Sequence, residues 1–413
     1  MKILLISYFF PPSTSVGGLR AYSFAKYFPE EGIEVVVLTS ESELKDNKNL
    51  QKEYGLDEIY YGKKTKLREW GYKTKILALL EMFKLDKIFF FPDVYFGWIK
   101  SAIKMGSKAI NEQNPDYIVV TAPPFSSFLI AEKLSTKFDI PLILDYRDPW
   151  NGNPTIEFPF KFVQKKYKKK EKQIAQRASL VVTVGEEYSK LISEITSINP
   201  NEFKIINNGF FAEKLSAESF SKEDKKFVIT LVGSFYLFYK DTFNEMMSGL
   251  KEFVETMKLK PDQVEFRYAG STSRKIINRA VQQAEVSEYF NDLVYLKGDE
   301  YFEFLQNSHL LVLMVPQKHK YAIATKLYDY LNSDSHVLIV GYKGEATKIC
   351  DDVDQIYDVV NPISKEIGRK FSSLYELWKK NELKYGCNID KLQKYERRNL
   401  AKEFAKHLIE LRE

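Results

Sequence analysis

Short runs rich in Val, Ile and Leu recur along the chain and alternate with longer amphipathic segments. Runs of the first kind suit strands covered on both faces, the second kind suits the helices that cover them, and their alternation predicts a parallel sheet built from βα units. In the first half the strand-like runs are KILLISYF, EVVVLTS, DYIVVTA, PLILDYR, LVVTVG and KIINNG; a fresh series follows in the second half, FVITLVGSF, VEFRYAG, LVYLKG, HLLVLMVP, HVLIVG and IYDVV. Residues 210–226 between the two series are polar and charged, with no strand-like core, and read as an interdomain linker. The predicted organisation is α/β: a Rossmann-like domain over 1–209, the linker over 210–226, a second Rossmann-like domain over 227–388, and a helix over 389–413 able to pack on either domain, including back on the first. Two doubly wound parallel sheets of this kind are expected to face a central cleft, where ligands meet the carboxyl ends of the strands.

Composition narrows the function classes. At 413 residues the chain exceeds what one core usually supports, which agrees with two domains. No apolar run reaches the roughly 18 residues of a membrane span, and the opening MKILLISYFFPP lacks the pattern of a secretory leader, so a cytoplasmic location is expected. With 61 basic and 56 acidic residues, the net charge of +5 matters less than its distribution, and no nucleic-acid partner is expected. His309, His319, His336 and His407 are scattered, and Cys350 and Cys387 lack metal-ligand spacing; both cysteines read as reduced and structural. The acidic cluster nearest to a metal-holding pattern, DDVD at 351–354, reads as a solvated surface loop. Neither a metal nor a cofactor is expected.

Three places concentrate candidate chemistry. YFFPPSTSVGGLRAYSFAKYF, residues 8–28, sets a Gly pair, Gly17 and Gly18, between the first strand and a helix; such a loop either cradles a phosphate or sugar or is an ordinary βα connection. LDYRDPWNGNP brings Asp145, Arg147 and Asp148 to the end of the fourth run, where they are expected to face the cleft, Asp145 and Asp148 on the acceptor side. The fork of Arg147 suits a phosphate or a pair of sugar hydroxyls, the alternative being an Arg–Asp pair that pins a loop. In the second half, LVGSFYLFYKDTFNEMM places Gly233 and Ser234 at a turn and Lys240 near a helix start, while YAIATKLYDYL places Thr325 as a helix cap, Lys326 in the first turn and Asp329 one turn on, near the face of Lys326. A lysine at a helix N-terminus opposes the helix dipole unless an anion lies between them, although it is also a common solvated residue. Two such lysines suit a diphosphate.

Nearly end to end, the chain resembles the family-four retaining glycosyltransferases of GT-B fold, through YFFPPSTSVGGLRAYSFAKYF, YIVVTAPPFSSFLIAEKL, PLILDYRDPW, VVTVGEEYSKLI, IINNG, LVGSFYLFYKD and TKLYDYL in order and spacing. The resemblance implies that Gly17, Gly18 and Arg20 form the glycine loop that meets donor phosphate and acceptor, and that Arg147 stands where many relatives carry a histidine touching the donor sugar. It implies that Lys240 and Lys326 embrace the diphosphate, that Asp329 matches a glutamate holding the ribose hydroxyls, and that Gly270 and Ser271 border the nucleobase. The sequence departs from the pattern at two positions: Tyr321 replaces the first glutamate of the family's pair, and Ser234 an arginine. Some bacterial subfamilies use a Thr-Lys pair instead of that glutamate, which Thr325 and Lys326 match.

The tract at 161–177, KFVQKKYKKKEKQIAQR, holds seven lysines and an arginine against one glutamate. It is either a solvated helix face or, with Phe162, Tyr167 and the preceding IEFPF as anchors, a surface for anionic lipid. The aromatic stretch at 87–100 could share that surface or be core. The expected function is transfer of a sugar from a nucleotide-diphosphate sugar to a carbohydrate, lipid-linked acceptor, with retention and in surface-polysaccharide synthesis, by a cytoplasmic protein peripheral to the cell membrane. The alternatives are a nucleotide-sugar epimerase of similar fold and a non-catalytic nucleotide-sugar-binding subunit, the latter favoured by Tyr321 and Ser234.

Overall fold

The computed structural model describes residues 1–13, 15–41, 58–64, 80, 82, 84–212, 225–234, 239–293, 296 and 298–412. Two compact units form, Met1–Asn208 with Arg397–Glu413, and Gly209–Glu396.

The first unit holds a seven-stranded sheet of order β3-β2-β1-β4-β5-β6-β7, every described pairing parallel. Its strands are β1 (Lys2–Ser7), β2 (Glu34–Ser40), β3 (Ile59–Gly62), β4 (Tyr117–Ala122), β5 (Leu142–Tyr146), β6 (Leu180–Thr183) and β7 (Lys204–Ile205). The central β4, β5 and β6 are buried at every residue, as their unbroken apolar runs require. Helices α1 (Leu19–Tyr27), α2 (Asp86–Phe89), α3 (Ile99–Gln113), α4 (Ser126–Phe138), α5 (Lys161–Ala175) and α6 (Glu186–Thr196) belong to this unit. The edge strand β3 does not appear among the predicted runs, because IYYG is too short to show a pattern.

The second unit holds a six-stranded parallel sheet of order β10-β9-β8-β11-β12-β13. Its strands are β8 (Phe227–Val232), β9 (Val264–Ala269), β10 (Phe290–Leu293), β11 (Leu310–Val315), β12 (His336–Gly341) and β13 (Tyr357–Val360). Its helices are α7 (Lys240–Thr256), α8 (Arg274–Gln283), α9 (Gly298–Gln306), α10 (Lys326–Leu331), α11 (Glu345–Asp352), α12 (Ser364–Lys379) and the short α13 (Ile389–Leu392). The core joins Phe227, Ile229 and Leu231 of β8 to Phe243, Met247 and Leu250 of α7 and to Phe371 of α12. The strand expected from LVYLKG begins three residues earlier, at Phe290, which stacks on Phe266 at 5.7 Å; residues 294, 295 and 297 of that run lie outside the described residues. Of the expected linker 210–226, residues 213–224 also lie outside them.

The helix expected over 389–413 is two helices, broken at Glu396, whose backbone is extended (φ −64°, ψ 133°). Before the break, Tyr395 donates to Asp352 at 2.6 Å and keeps residues 389–395 in the second unit. After it, α14 (Arg397–Glu410) belongs to the first unit, where Phe404 packs on Phe24 and Phe28 at 5.1 and 5.6 Å between ring centres. DDVD is also not a free loop. Asp351 and Asp352 close α11, and Tyr357, Tyr395 and Lys391 engage Asp351, Asp352 and Asp354 respectively.

Candidate functional site

In each sheet the strand order reverses once, between β1 and β4 in the first unit and between β8 and β11 in the second. At such a point the loops leaving adjacent strands turn to opposite sides and leave a crevice outside the carboxyl ends. Several of the residues singled out from the sequence lie on the loops that leave these strands.

In the first unit the chain leaves β1 through Tyr8–Pro12 and enters a 3-10 turn at Val16–Gly18, closed by Ser15 Oγ accepting from the Gly17 nitrogen at 3.3 Å. The Gly pair has an intramolecular reason. A Cβ on buried Gly18 would stand 3.3 Å from the Phe9 carbonyl and the Phe10 nitrogen, and one on Gly17 would stand 3.1 Å from the Phe9 ring and 3.2 Å from Arg147 Nη1.

Arg20, expected on the ligand side of this loop, and Asp145, expected to face the cleft, are instead turned inward onto each other. Arg20 Nε and Nη2 donate to the two carboxylate oxygens of Asp145, both at 2.8 Å, and Nη1 donates to the Asn207 carbonyl at 2.8 Å. Asp145 has no exposed surface and Arg20 almost none. The loop-pinning Arg–Asp pair suggested by LDYRD therefore exists, but its arginine comes from α1.

Arg147 is lashed to backbone: Nη1 donates to the Gly17 carbonyl and Nη2 to the Pro123 carbonyl, so that it ties the loop after β1 to the loop after β4. Burial pulls its pKa down to about 10, against the opposing pull of Asp145 and Asp148. Half-buried Asp148 has no hydrogen-bond partner among the described residues, and burial pushes its carboxyl up to about 6 although Arg147 acts the other way.

Sequence reasoning missed the group that holds this turn from below. Glu171, the lone acid of the basic tract, is fully buried and accepts from the Asn151 nitrogen at 3.0 Å and from Asn151 Nδ2 at 2.7 Å. Burial pushes its carboxyl up to about 7. The signal was present: Val163, Tyr167, Glu171 and Ile174 share the buried stripe of α5 at helical spacing.

In the second unit β8 and β11 pair over only two residues, whereas β11 and β12 pair over six. Tyr330 of α10 explains the short ladder. Its hydroxyl accepts from the Val232 nitrogen at 3.3 Å and donates to the Val312 carbonyl at 3.1 Å, taking the place of a strand-to-strand bond. One helical turn earlier Lys326 donates to the Val232 carbonyl at 2.8 Å. That carbonyl is the only hydrogen-bond partner of Lys326 among the described residues, and burial pulls its pKa down to about 8. The chain then turns at Gly233, whose φ of +86° favours glycine, and a Cβ there would lie 3.7 Å from Lys326 Cδ. Lys240 is the first residue of the 17-residue helix α7 and makes no ion pair among the described residues.

The neighbouring turn completes the crevice. Gly270 is buried, and a Cβ there would strike the Gly233 carbonyl and the Tyr268 hydroxyl. That hydroxyl donates to the Gly233 carbonyl at 3.1 Å, Arg274 donates to the Gly270 carbonyl at 3.1 Å, and the Ser234 and Ser271 hydroxyls bond to each other. Two expectations change here. Thr325 occupies the cap position of α10, but with helical backbone and no side-chain capping bond. Asp329 shows no ion pair with Lys326 and accepts from the Tyr301 hydroxyl at 3.1 Å. Tyr321 is buried, its ring 5.9 Å from that of His319.

No family model matches the chain, and no curated protein matches it by sequence. Solved structures do match in fold. HepE of Anabaena, crystallised with UDP-glucose, superposes with a TM-score of 0.67 at 13% identity, over 99% of this chain and 100% of that one. A sucrose-phosphate synthase from Thermosynechococcus elongatus gives 0.71 at 11% identity, over 99% and 98%. A Listeria monocytogenes chain assigned as a UDP-N-acetylglucosamine 2-epimerase gives 0.56 at 12% identity, over 99% and 95%. At these identities the likeness shows the fold: two parallel-sheet α/β domains of GT-B type, the fold of the nucleotide-sugar glycosyltransferases.

Proposed function

We propose that this chain is a glycosyltransferase that moves a sugar from a nucleotide-diphosphate sugar to a carbohydrate acceptor. The observation that carries the reading is Lys326, a partly buried ammonium at the reversal point of the second sheet, with a backbone carbonyl and no carboxylate partner among the described residues. A partly buried cation without a counter-ion costs stability, and a diphosphate placed over Gly233 would offset that cost. Lys240, at the start of the helix that follows the same strand, would meet the other end of the anion. As the bond from sugar to diphosphate breaks, negative charge grows on the departing oxygen. Fixed cations stabilise that charge more than they stabilise the bound donor, which lowers the barrier.

The finer parts rest on resemblance: retention at the transferred carbon, a lipid-linked acceptor, a role in surface polysaccharide, ribose contact through Asp329, a nucleobase beside Gly270 and Ser271, and sugar contact near Arg147. UDP and UDP-glucose, found with HepE, are the first donors to try. The two lysines take the place of a divalent cation, so turnover is expected to survive EDTA; loss in EDTA with recovery in magnesium would overturn that part.

The test is calorimetric titration with UDP, GDP and ADP, then turnover with the matching sugars. Binding with slow release of sugar supports transfer. An isomerised donor would favour an epimerase, the reading to which the Listeria likeness points, and binding without turnover would favour a binding subunit. No binding of any nucleoside diphosphate would sink all three.

A further inference from the structure

The first unit carries a surface that the sugar chemistry does not use. Every exposed phenylalanine among the described residues lies on it: Phe89 at 62% exposure, Phe160 at 50% and Phe162 at 68%, joined by Met82 at 64%. Exposed apolar residues scattered singly need no explanation, but large aromatics gathered in one place do.

They come from two segments that pack on each other. The Tyr167 hydroxyl of α5 donates to the Lys87 carbonyl of α2 at 2.9 Å, and the Phe91 ring lies 4.7 Å from that of Tyr167. Lys166 sets its ammonium 4.7 Å over Phe91. One turn before it, Phe162 stacks on Phe160 at 5.5 Å with the rings 8° from parallel, although both stay exposed.

Among the described residues, the charges around these rings that lack an opposite partner are of one sign. The acids beside them are already occupied: Asp86 by Lys87, Glu157 by Lys84, Glu132 by Lys170, while Glu171 is buried. Lys161, Lys165 and Lys169 are exposed and make no ion pair among the described residues. Hydrophobic wedges ringed by uncompensated lysines match the border between anionic headgroups and acyl chains, where the rings enter and the ammonium groups stay at headgroup level. A soluble acidic partner would satisfy the lysines but leave Phe89, Phe160 and Phe162 in water.

We propose that α2 and the N-terminal half of α5 form one composite surface that docks this protein on a membrane containing anionic lipid. The sequence offers both the charge and the aromatic anchors; the structure exposes Phe160 and Phe162, buries the expected anchor Tyr167, and through it joins the two segments. The inference does not depend on the proposed reaction, because its test reads binding alone.

The full chain would be floated with vesicles of phosphatidylcholine, alone or with 30% phosphatidylglycerol, and titrated separately with heparin as a soluble polyanion. Binding is expected to the mixed vesicles and not to phosphatidylcholine alone. Changing Lys161, Lys165, Lys166 and Lys169 together to Gln should weaken it at least tenfold, each lysine being worth about fivefold near an anionic surface. Changing Phe89, Phe160 and Phe162 to Ser should leave binding that disappears at 0.5 M salt, whereas the wild type keeps a salt-resistant part. These side chains are exposed, so an unchanged melting midpoint verifies the fold of each variant. No flotation with mixed vesicles, or flotation indifferent to the serine changes together with equally tight heparin binding, would overturn the proposal and leave a general polyanion surface.

Discussion

The two reversal points are built from similar parts and treat their cations in opposite ways. In the first unit both arginines are consumed internally, Arg20 by Asp145 and the Asn207 carbonyl, Arg147 by the carbonyls of Gly17 and Pro123. In the second, Lys326 has one backbone carbonyl and Lys240 no ion pair among the described residues. A guanidinium presents several donors in a fixed fork and suits the bracing of loops; an ammonium is a point charge that a ligand can claim. The first crevice is thus a braced frame and the second an electrostatic deficit, which teaches that equivalent positions on one architecture need not share a task.

The largest effect should come from breaking the brace. Arg20→Met leaves a buried carboxylate without its partner, and a loss of about 3–5 kcal/mol is expected from denaturant unfolding. Asp145→Asn should cost a similar amount. A variant at either position that keeps wild-type stability but loses nucleotide binding would reverse the comparison and return these residues to the ligand.

Lys326→Met should do the opposite of Arg20→Met. Turnover is expected to fall about 10²- to 10³-fold, as when one preorganised donor to developing charge is lost, while the ligand-free protein becomes more stable by about 1–2 kcal/mol at pH 7, since a partly buried charge with no counter-ion among the described residues is removed. The sign follows from the lowered pKa. Below about 8 the folded protein carries the charged form against its preference; the contribution is present above about 10.5 and lost as pH falls through about 8, so the gain from Met should vanish at high pH. Lys240→Ala should cost turnover in a similar range, and the double variant less than the product of the two, because both act on one charge. Losses that simply multiply would separate the two lysines.

How much of this was legible in the sequence follows from the range of each interaction. Runs such as HLLVLMVP carry their strand identity locally, as does the apolar stripe of α14. That Gly17 and Gly233 follow the first strand of their own units, and that Lys240 and Lys326 open helices, follows from chain order alone. Arg20 and Asp145 are 125 residues apart, and no local pattern announces that they meet. Tyr330 reads as an ordinary helix residue until its hydroxyl is found between two strands. Its value can be tested. Tyr330→Phe leaves the Val232 nitrogen and Val312 carbonyl without that partner, and a loss of about 1–3 kcal/mol is expected, with weaker nucleotide binding because the same strand end supports Lys326. Full stability in the Phe variant would mean that the strands close without the hydroxyl.

The smallest expected effect probes Asp148, whose carboxylate has no hydrogen-bond partner among the described residues. Asp148 has a carboxyl raised to about 6 from an ordinary 3.8, with burial as the cause. A raised carboxyl is better tolerated protonated, so its contribution to stability is fully present below about 3.8 and lost as pH rises through about 6. Asp148→Asn should therefore be more stable than wild type at pH 7, by about 1 kcal/mol once its partial exposure is allowed for, and no more stable at pH 3.5. Glu171, raised to about 7, adds a slope of the same sign that persists in the Asn variant; Glu171→Gln would remove that part while its amide oxygen can still accept both bonds from Asn151, which fall on one oxygen of Glu171. If Asp148 also meets the acceptor, the acid limb of kcat/KM near pH 6 should disappear in Asp148→Asn and survive in Glu171→Gln. A limb that persists in Asp148→Asn would leave the first crevice with no titrating ligand contact, and the contrast between a closed frame and an open electrostatic site would then be complete.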